Sequence, residues 1–125
     1  MEKRLIAFAI LAGLLSGVNL FLHKVAASRL EETDLAGVVR PSYIISLASN
    51  PYVYIILVMG LLVLAMDLAF LSHDVPAIVG LNFIIILGNV VFAALCVALL
   101  KEKVTPRIFL GISFGILALL LLSGS

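Results

Sequence analysis

Four long apolar stretches run along the chain and are separated by polar connections. They cover residues 5–22, 52–72, 75–100 and 108–123. Because a helix needs about 20 apolar residues to cross a bilayer, each stretch predicts a transmembrane helix. The fourth is short enough to need its ends in the membrane interface. We therefore expect an all-α integral membrane protein, with one four-helix transmembrane domain over residues 1–125.

Proline marks three of the predicted helix starts. A capping side chain stands close to each proline, in Asn50-Pro51, Asp74-Val75-Pro76 and Thr105-Pro106. Proline is tolerated in the first turn because its missing N–H would be unpaired there anyway. The connection after the first helix is long, and we expect that helix to continue past Lys24. A short interfacial segment is predicted near Tyr43.

The composition supports the membrane assignment. Of the 125 residues 64% are hydrophobic and 12% are charged, whereas soluble domains are about half apolar and a quarter charged. The net charge of +1 argues against nucleic acid as a partner. A lone cysteine, Cys96, excludes a disulfide framework or thiolate metal site within one chain and is expected to be a small core residue.

The N-terminal stretch also has features of a secretory signal. The stretch is 18 residues long, which exceeds the usual signal core, so we expect a retained first helix. Counting Lys and Arg gives two on the N-terminal side and six on the opposite side. Because cytoplasmic loops carry the excess, the first and third connections are predicted in the cytoplasm and both termini outside.

No catalytic, metal-binding or phosphate-loop constellation is apparent, and we expect neither enzymatic activity nor a cofactor. One ionisable residue, Asp67, lies within a predicted helix. A carboxylate at that depth is costly and usually faces a bundle interior or a wet cavity. It either titrates protons or binds a headgroup, or it reaches the near surface and pairs with Lys3, Arg4 or His73.

Cations gather on the membrane face where the first helix ends. They are Lys24, Arg40, Lys101 and Arg107. One interpretation is a basic collar that binds a lipid phosphate, and the other is ordinary anchoring at the headgroup level.

Three amides, Asn19, Asn82 and Asn89, are predicted to be buried within the helices. Asn82 and Asn89 are seven residues apart and therefore share a face of the third helix. In lipid such amides are expected to hydrogen-bond to another helix, either as packing contacts or as ligand contacts. Asn19, about one turn before Lys24, is the one we expect to line a path.

Paired glycines on the first and fourth helices indicate close helix contacts. Gly13-x-x-x-Gly17 and Gly111-x-x-x-Gly115 would let two backbones approach closely. The second pair, with Ser113 between its glycines, suits a subunit interface.

From Pro76 onward the chain resembles the second half of a small multidrug resistance transporter, a family of the drug/metabolite transporter superfamily. The resemblance rests on the proline before a long uncharged helix, the Lys101-Glu102-Lys103 turn, Thr105-Pro106 and the following Gly111. In that family the fourth helix mediates dimerisation, which implies that Gly111, Ser113 and Gly115 form an interface.

The first helix differs from that of the drug exporters, which carry a membrane-embedded glutamate. Here Ala9-Ile10-Leu11-Ala12 is followed by Gly13. The end of the helix, with Lys24, instead resembles the four-helix subunits that flip aminoarabinose-linked undecaprenyl phosphate.

This resemblance implies a flippase for a lipid-linked sugar, a polyprenyl-phosphate glycolipid, in the plasma (inner) membrane of a prokaryote. The chain would act as a homodimer, or as a heterodimer with a similar protein. Asn19, Asn82 and Asn89 would form a polar wall, and Lys24 and Arg40 would hold the phosphate. The alternatives are a proton-coupled cation exporter that uses Asp67 and a non-transporting accessory subunit of a membrane glycosyltransferase.

Overall fold

The computed structural model describes residues 3–30 and 32–124, and these are largely helical. The helices are α1 (Lys3–Ala27), α2 (Pro41–Ser49), α3 (Pro51–Leu71), α4 (Ala77–Leu99) and α5 (Pro106–Ser123), with a 3₁₀ turn at Gly37–Val39. The described residues contain no β-strand. All the helices except α2 are long and apolar enough to cross a membrane. The predicted all-α, multi-pass membrane class is therefore confirmed.

The helix bounds differ from the apolar stretches by a few residues. α1 continues to Ala27, which confirms the predicted extension past Lys24; a helix can leave the hydrocarbon because its backbone hydrogen bonds do not depend on apolar side chains. α2 is the predicted short segment near Tyr43. α3 and α5 each begin at their proline, one and two residues earlier than predicted.

Two of the three predicted capping residues form the expected hydrogen bond. The Asn50 side chain accepts a hydrogen bond from the Tyr52 backbone N–H at 3.1 Å. Thr105 Oγ1 accepts one from the Ile108 N–H at 3.2 Å. Asp74 does not cap α4, because the helix begins after Pro76 and that N-cap residue makes no side-chain bond.

α1 is the central helix and lies against both α3 and α4. Its paired glycines serve the contact with α4. A methyl group at Gly17 would lie 2.6 Å from Val91 Cβ and 2.8 Å from the Gly88 carbonyl oxygen, and one at Gly13 would meet the side chain of Leu87. Without side chains at these two positions the α1 and α4 surfaces can approach closely enough for dispersion forces to hold them.

The buried core lies nearer one membrane face. We call the face with residues 3–4 and 72–76 the N-terminal face, and the face with residues 28–50 and 100–105 the loop face. Near the N-terminal face a cluster of buried side chains joins α1, α3 and α4; it comprises Ala9, Ala12, Phe70, Phe83 and Ile84. Phe70 is fully buried, and its ring occupies the space that a methyl group at Gly80 would need.

α5 is the least enclosed of the long helices. It packs against α4 and contains no buried residue. The row of helices is thus α3, α1, α4 and α5, with one side of α5 left for lipid or another protein.

Candidate functional site

Asn19 and Asp67 lie along the interface between α1 and α3. The Asn19 side-chain nitrogen is 3.8 Å from the position of a Cβ at Gly60. Asp67 follows Gly60 by seven residues, so it lies on the same face of α3 and about 10 Å nearer the N-terminal face at 1.5 Å per residue. The Oδ1 atoms of both side chains are enclosed and lack a hydrogen-bond partner.

Asp67 makes no ion pair with the described residues. The pairing considered for it, with Lys3, Arg4 or His73, is therefore not formed. Asp67 and Asn19 are thus two polar side chains in the α1–α3 interface whose Oδ1 atoms have no hydrogen-bond partner among the described residues.

Asn82 and Asn89 are exposed, so their predicted burial is wrong. α4 turns Gly80 and Gly88 toward its neighbours, and the asparagines lie on a face that points outward. The Asn82 side-chain nitrogen donates a hydrogen bond to the Ile78 carbonyl at 2.6 Å, within its own helix. This satisfies the amide locally and replaces the predicted bond to another helix.

Asn89 lines a groove between α4 and α5, which is open to the side and has a volume of about 390 Å³. Its other lining residues are Ile86, Val90, Ile108, Gly111, Ile112 and Gly115. The Asn89 side chain has no hydrogen-bond partner among the described residues. The groove is therefore an apolar surface with a single free amide in its wall.

Gly111 and Gly115 line this groove on the α5 side. Nothing lies within 4 Å of a Cβ at Gly111, whereas one at Gly115 would be 3.1 Å from Val90 Cγ2. Ser113 does not line the groove, and its hydroxyl donates to the Phe109 carbonyl at 2.9 Å. The three residues of the predicted interface therefore do not share one surface.

The cations of the loop face are exposed. Lys24 and Arg40 form no ion pair with other described residues. Cys96 is buried, as predicted for a core residue.

The buried polar residue that the sequence did not reveal is Asn50. Its side chain is only 5% exposed, and its nitrogen donates to the Ala26 carbonyl at 3.0 Å. The Asn-Pro dipeptide predicted the cap on α3, but no local pattern indicates that the same side chain also binds the end of α1.

No group of three His, Cys, Asp or Glu residues in the described ranges is arranged to hold a metal ion. The chemistry that the fold offers consists of free amides, one intramembrane carboxyl group and cations on the loop face. Comparison with models of known families, with curated proteins and with solved structures gives no match to this chain.

Proposed function

We propose that this protein is a subunit of a membrane transporter that flips a lipid-linked sugar, a polyprenyl-phosphate glycolipid. The observation that carries the proposal is the lateral groove between α4 and α5, with the free amide of Asn89 in an apolar wall. Asn89 is near the middle of α4, about 18 Å from its start and about 15 Å from its end at 1.5 Å per residue.

A groove of this kind meets the physical demand of flipping. The polar headgroup must cross about 30 Å of hydrocarbon, while the isoprenoid chain stays in lipid. A groove open to the side lets the chain remain outside, and a mid-membrane amide offers hydrogen bonds to sugar hydroxyls where lipid offers none.

The cations of the loop face support recognition of the phosphate. Arg107 is exposed and immediately precedes Ile108, which lines the groove. Lys24 is exposed at the end of the central helix and is free of ion pairs within the described part of the chain. Cations at this level attract phosphate headgroups, since each contributes about 1 kcal/mol near an anionic surface.

The proposal includes a dimer, with a second copy or with a similar four-helix protein. One chain supplies only one wall of a path, and α5 has no buried residue. The open space at Gly111 leaves room for an approaching helix. A second subunit on α5 would convert the groove into a cleft with two walls.

The test is lipid translocation by the purified protein in liposomes. A fluorescent polyprenyl-phosphate sugar is incorporated, and a membrane-impermeant reductant bleaches only the outer leaflet. Wild-type protein should make the inner-leaflet probe accessible, and Asn89→Leu should abolish this. Asn82→Leu is the matched control, since Asn82 lies outside the groove and bonds to its own helix.

Lys24→Ala should weaken binding of the phospholipid sugar in the same liposomes. Inactivity of the wild-type protein, or full activity of Asn89→Leu, would contradict the proposal. Stable co-purification with a membrane glycosyltransferase, combined with absence of translocation, would support the accessory-subunit alternative.

Asp67 favours a second candidate, proton-coupled export of a cation. Its Oδ1 is enclosed without a partner inside the α1–α3 interface, as expected for a carboxyl group that exchanges protons. This candidate predicts export of a quaternary ammonium compound driven by a pH gradient. Asp67→Asn would abolish that export and Lys24→Ala would leave it unchanged, whereas lipid flipping would not require Asp67.

A further inference from the structure

The long connection between α1 and α3 forms a two-part cavity on the loop face. An apolar cleft of about 380 Å³ lies between the end of α1, α2 and the start of α3. Its lining residues are His23, Ala26, Ala27, Leu30, Tyr43, Leu47, Val53, Ile56 and Leu57. Because these residues belong to the last turns of α1 and the first turns of α3, the cleft lies at the edge of the hydrocarbon region.

A polar cavity of about 210 Å³ adjoins this cleft. It is lined by Glu32, Thr33, Gly37, Arg40, Ser42, Tyr43 and Ser46. α2 presents Ser42 and Ser46 to the polar cavity and Leu47 to the apolar cleft, and Tyr43 borders both. The polar cavity could therefore hold the headgroup of an amphiphile while the adjoining apolar cleft holds its hydrocarbon chain.

The polar cavity carries one free charge of each sign. Arg40 and Glu32 both line it, yet they form no ion pair with each other or with other described residues. Asp34 is different, because its Oδ1 accepts a hydrogen bond from the Gly37 N–H at 2.8 Å. Arg40 and Glu32 are thus the charges that remain available to a ligand.

The same connection also exposes large apolar side chains. Leu35 is 93% exposed, Val39 75% and Ile45 66%. Such a segment is stable at the boundary between headgroups and acyl chains. A connection held at this boundary would place the cavity at the level of the phospholipid headgroups.

We propose that this two-part cavity binds an aminophospholipid, a lipid whose headgroup carries a primary ammonium group beside its phosphate. Arg40 and the hydroxyls of Ser42 and Ser46 bind the phosphate, and Glu32 binds the ammonium group. One acyl chain occupies the apolar cleft. A purely anionic headgroup fits less well because Glu32 repels it. The site is independent of flipping, since a protein that translocates nothing can still bind this lipid.

Lipid retention tests the proposal. The full chain is reconstituted in mixtures of phosphatidylethanolamine, phosphatidylglycerol and phosphatidylcholine with identical acyl chains, and retained lipid is measured by native mass spectrometry. Wild-type protein should retain phosphatidylethanolamine about fivefold over phosphatidylglycerol, the ratio that one partly exposed ion pair gives. Glu32→Gln should remove this preference, and Arg40→Gln should lower retention of all three lipids.

Controls separate this site from general charge effects and from the flippase. Asp74→Asn and Lys3→Gln remove one charge of each sign on the N-terminal face and should retain lipid like the wild-type protein. Glycerophosphoethanolamine, which lacks acyl chains, should not displace the lipid. Equal retention of the three lipids by wild-type protein, or an unchanged preference in Glu32→Gln, would overturn the proposal, whatever the flipping assay shows.

Discussion

Asn50 should contribute to stability in two separable ways. Its side chain caps α3 through the Tyr52 N–H at 3.1 Å and joins α3 to α1 through the Ala26 carbonyl at 3.0 Å. A lost cap costs about 1 kcal/mol, and a hydrogen bond between membrane helices contributes on average about 0.6 kcal/mol. The Ala26 oxygen still accepts from the Arg29 N–H, so no full desolvation penalty is added. We expect Asn50→Ala to lower the free energy of unfolding by about 1.5–2 kcal/mol.

Two variants separate the contribution of the helix cap from that of the bond to α1. Asn50→Ser keeps a capping oxygen but is too short to reach α1, and should cost about 0.6 kcal/mol. Thr105→Ala removes only the cap on α5 and should cost about 1 kcal/mol or less. The measurement is equilibrium unfolding by increasing SDS in mixed micelles, followed by circular dichroism. The reasoning would be refuted if Asn50→Ala had the same free energy of unfolding as the wild-type protein. It would also be refuted if Asn50→Ala destabilised the protein no more than Thr105→Ala does and Asn50→Ser did not destabilise it at all.

The same unfolding assay measures the effect of four further substitutions on stability. Gly17→Leu should cost about 2 kcal/mol or more, because its Cβ would lie 2.8 Å from the Gly88 carbonyl oxygen. Gly111→Leu places its side chain in open space and should leave the stability of the monomer unchanged. It should reduce the fraction of dimer that native mass spectrometry detects. Phe70→Ala should cost about 2 kcal/mol, since the fully buried ring would leave a cavity while lipid supplies no transfer term; a loss below about 0.5 kcal/mol would contradict its place in the core. Asp67→Asn should not lower stability, because no ion pair is lost; a clear destabilisation would indicate a partner for the carboxylate.

The candidate site was only partly predictable from the sequence. Helical spacing indicated that Asn82 and Asn89 share a face, and this follows from the period of the helix. It did not indicate whether that face points toward α1 or outward. The structure turns it outward, because the glycine-rich side of α4 is the one that fits against α1. Asn82 then bonds to its own backbone, while Asn89 lines the groove beside α5.

The glycine pairs were also only partly predictable from the sequence. Both pairs indicated close helix contacts, but only the fold assigns them. Gly13 and Gly17 are used against α4 within the chain, whereas Gly111 meets no atom. Any two small-residue surfaces can associate in lipid, so the motifs alone do not select a partner.

Local sequence features were enough to predict the class of the protein and the approximate position of every long helix. Hydropathy is a property of contiguous residues, and about 20 apolar residues are what a bilayer requires. Helix ends followed from proline and capping residues, again local features. The helix neighbours, the outward position of Asn82 and Asn89, and the bond from Asn50 to α1 emerge only in the folded arrangement. In lipid, burial of apolar surface does not drive one helix face toward another, so the contacts depend on shape and hydrogen bonding between residues that are distant in the chain.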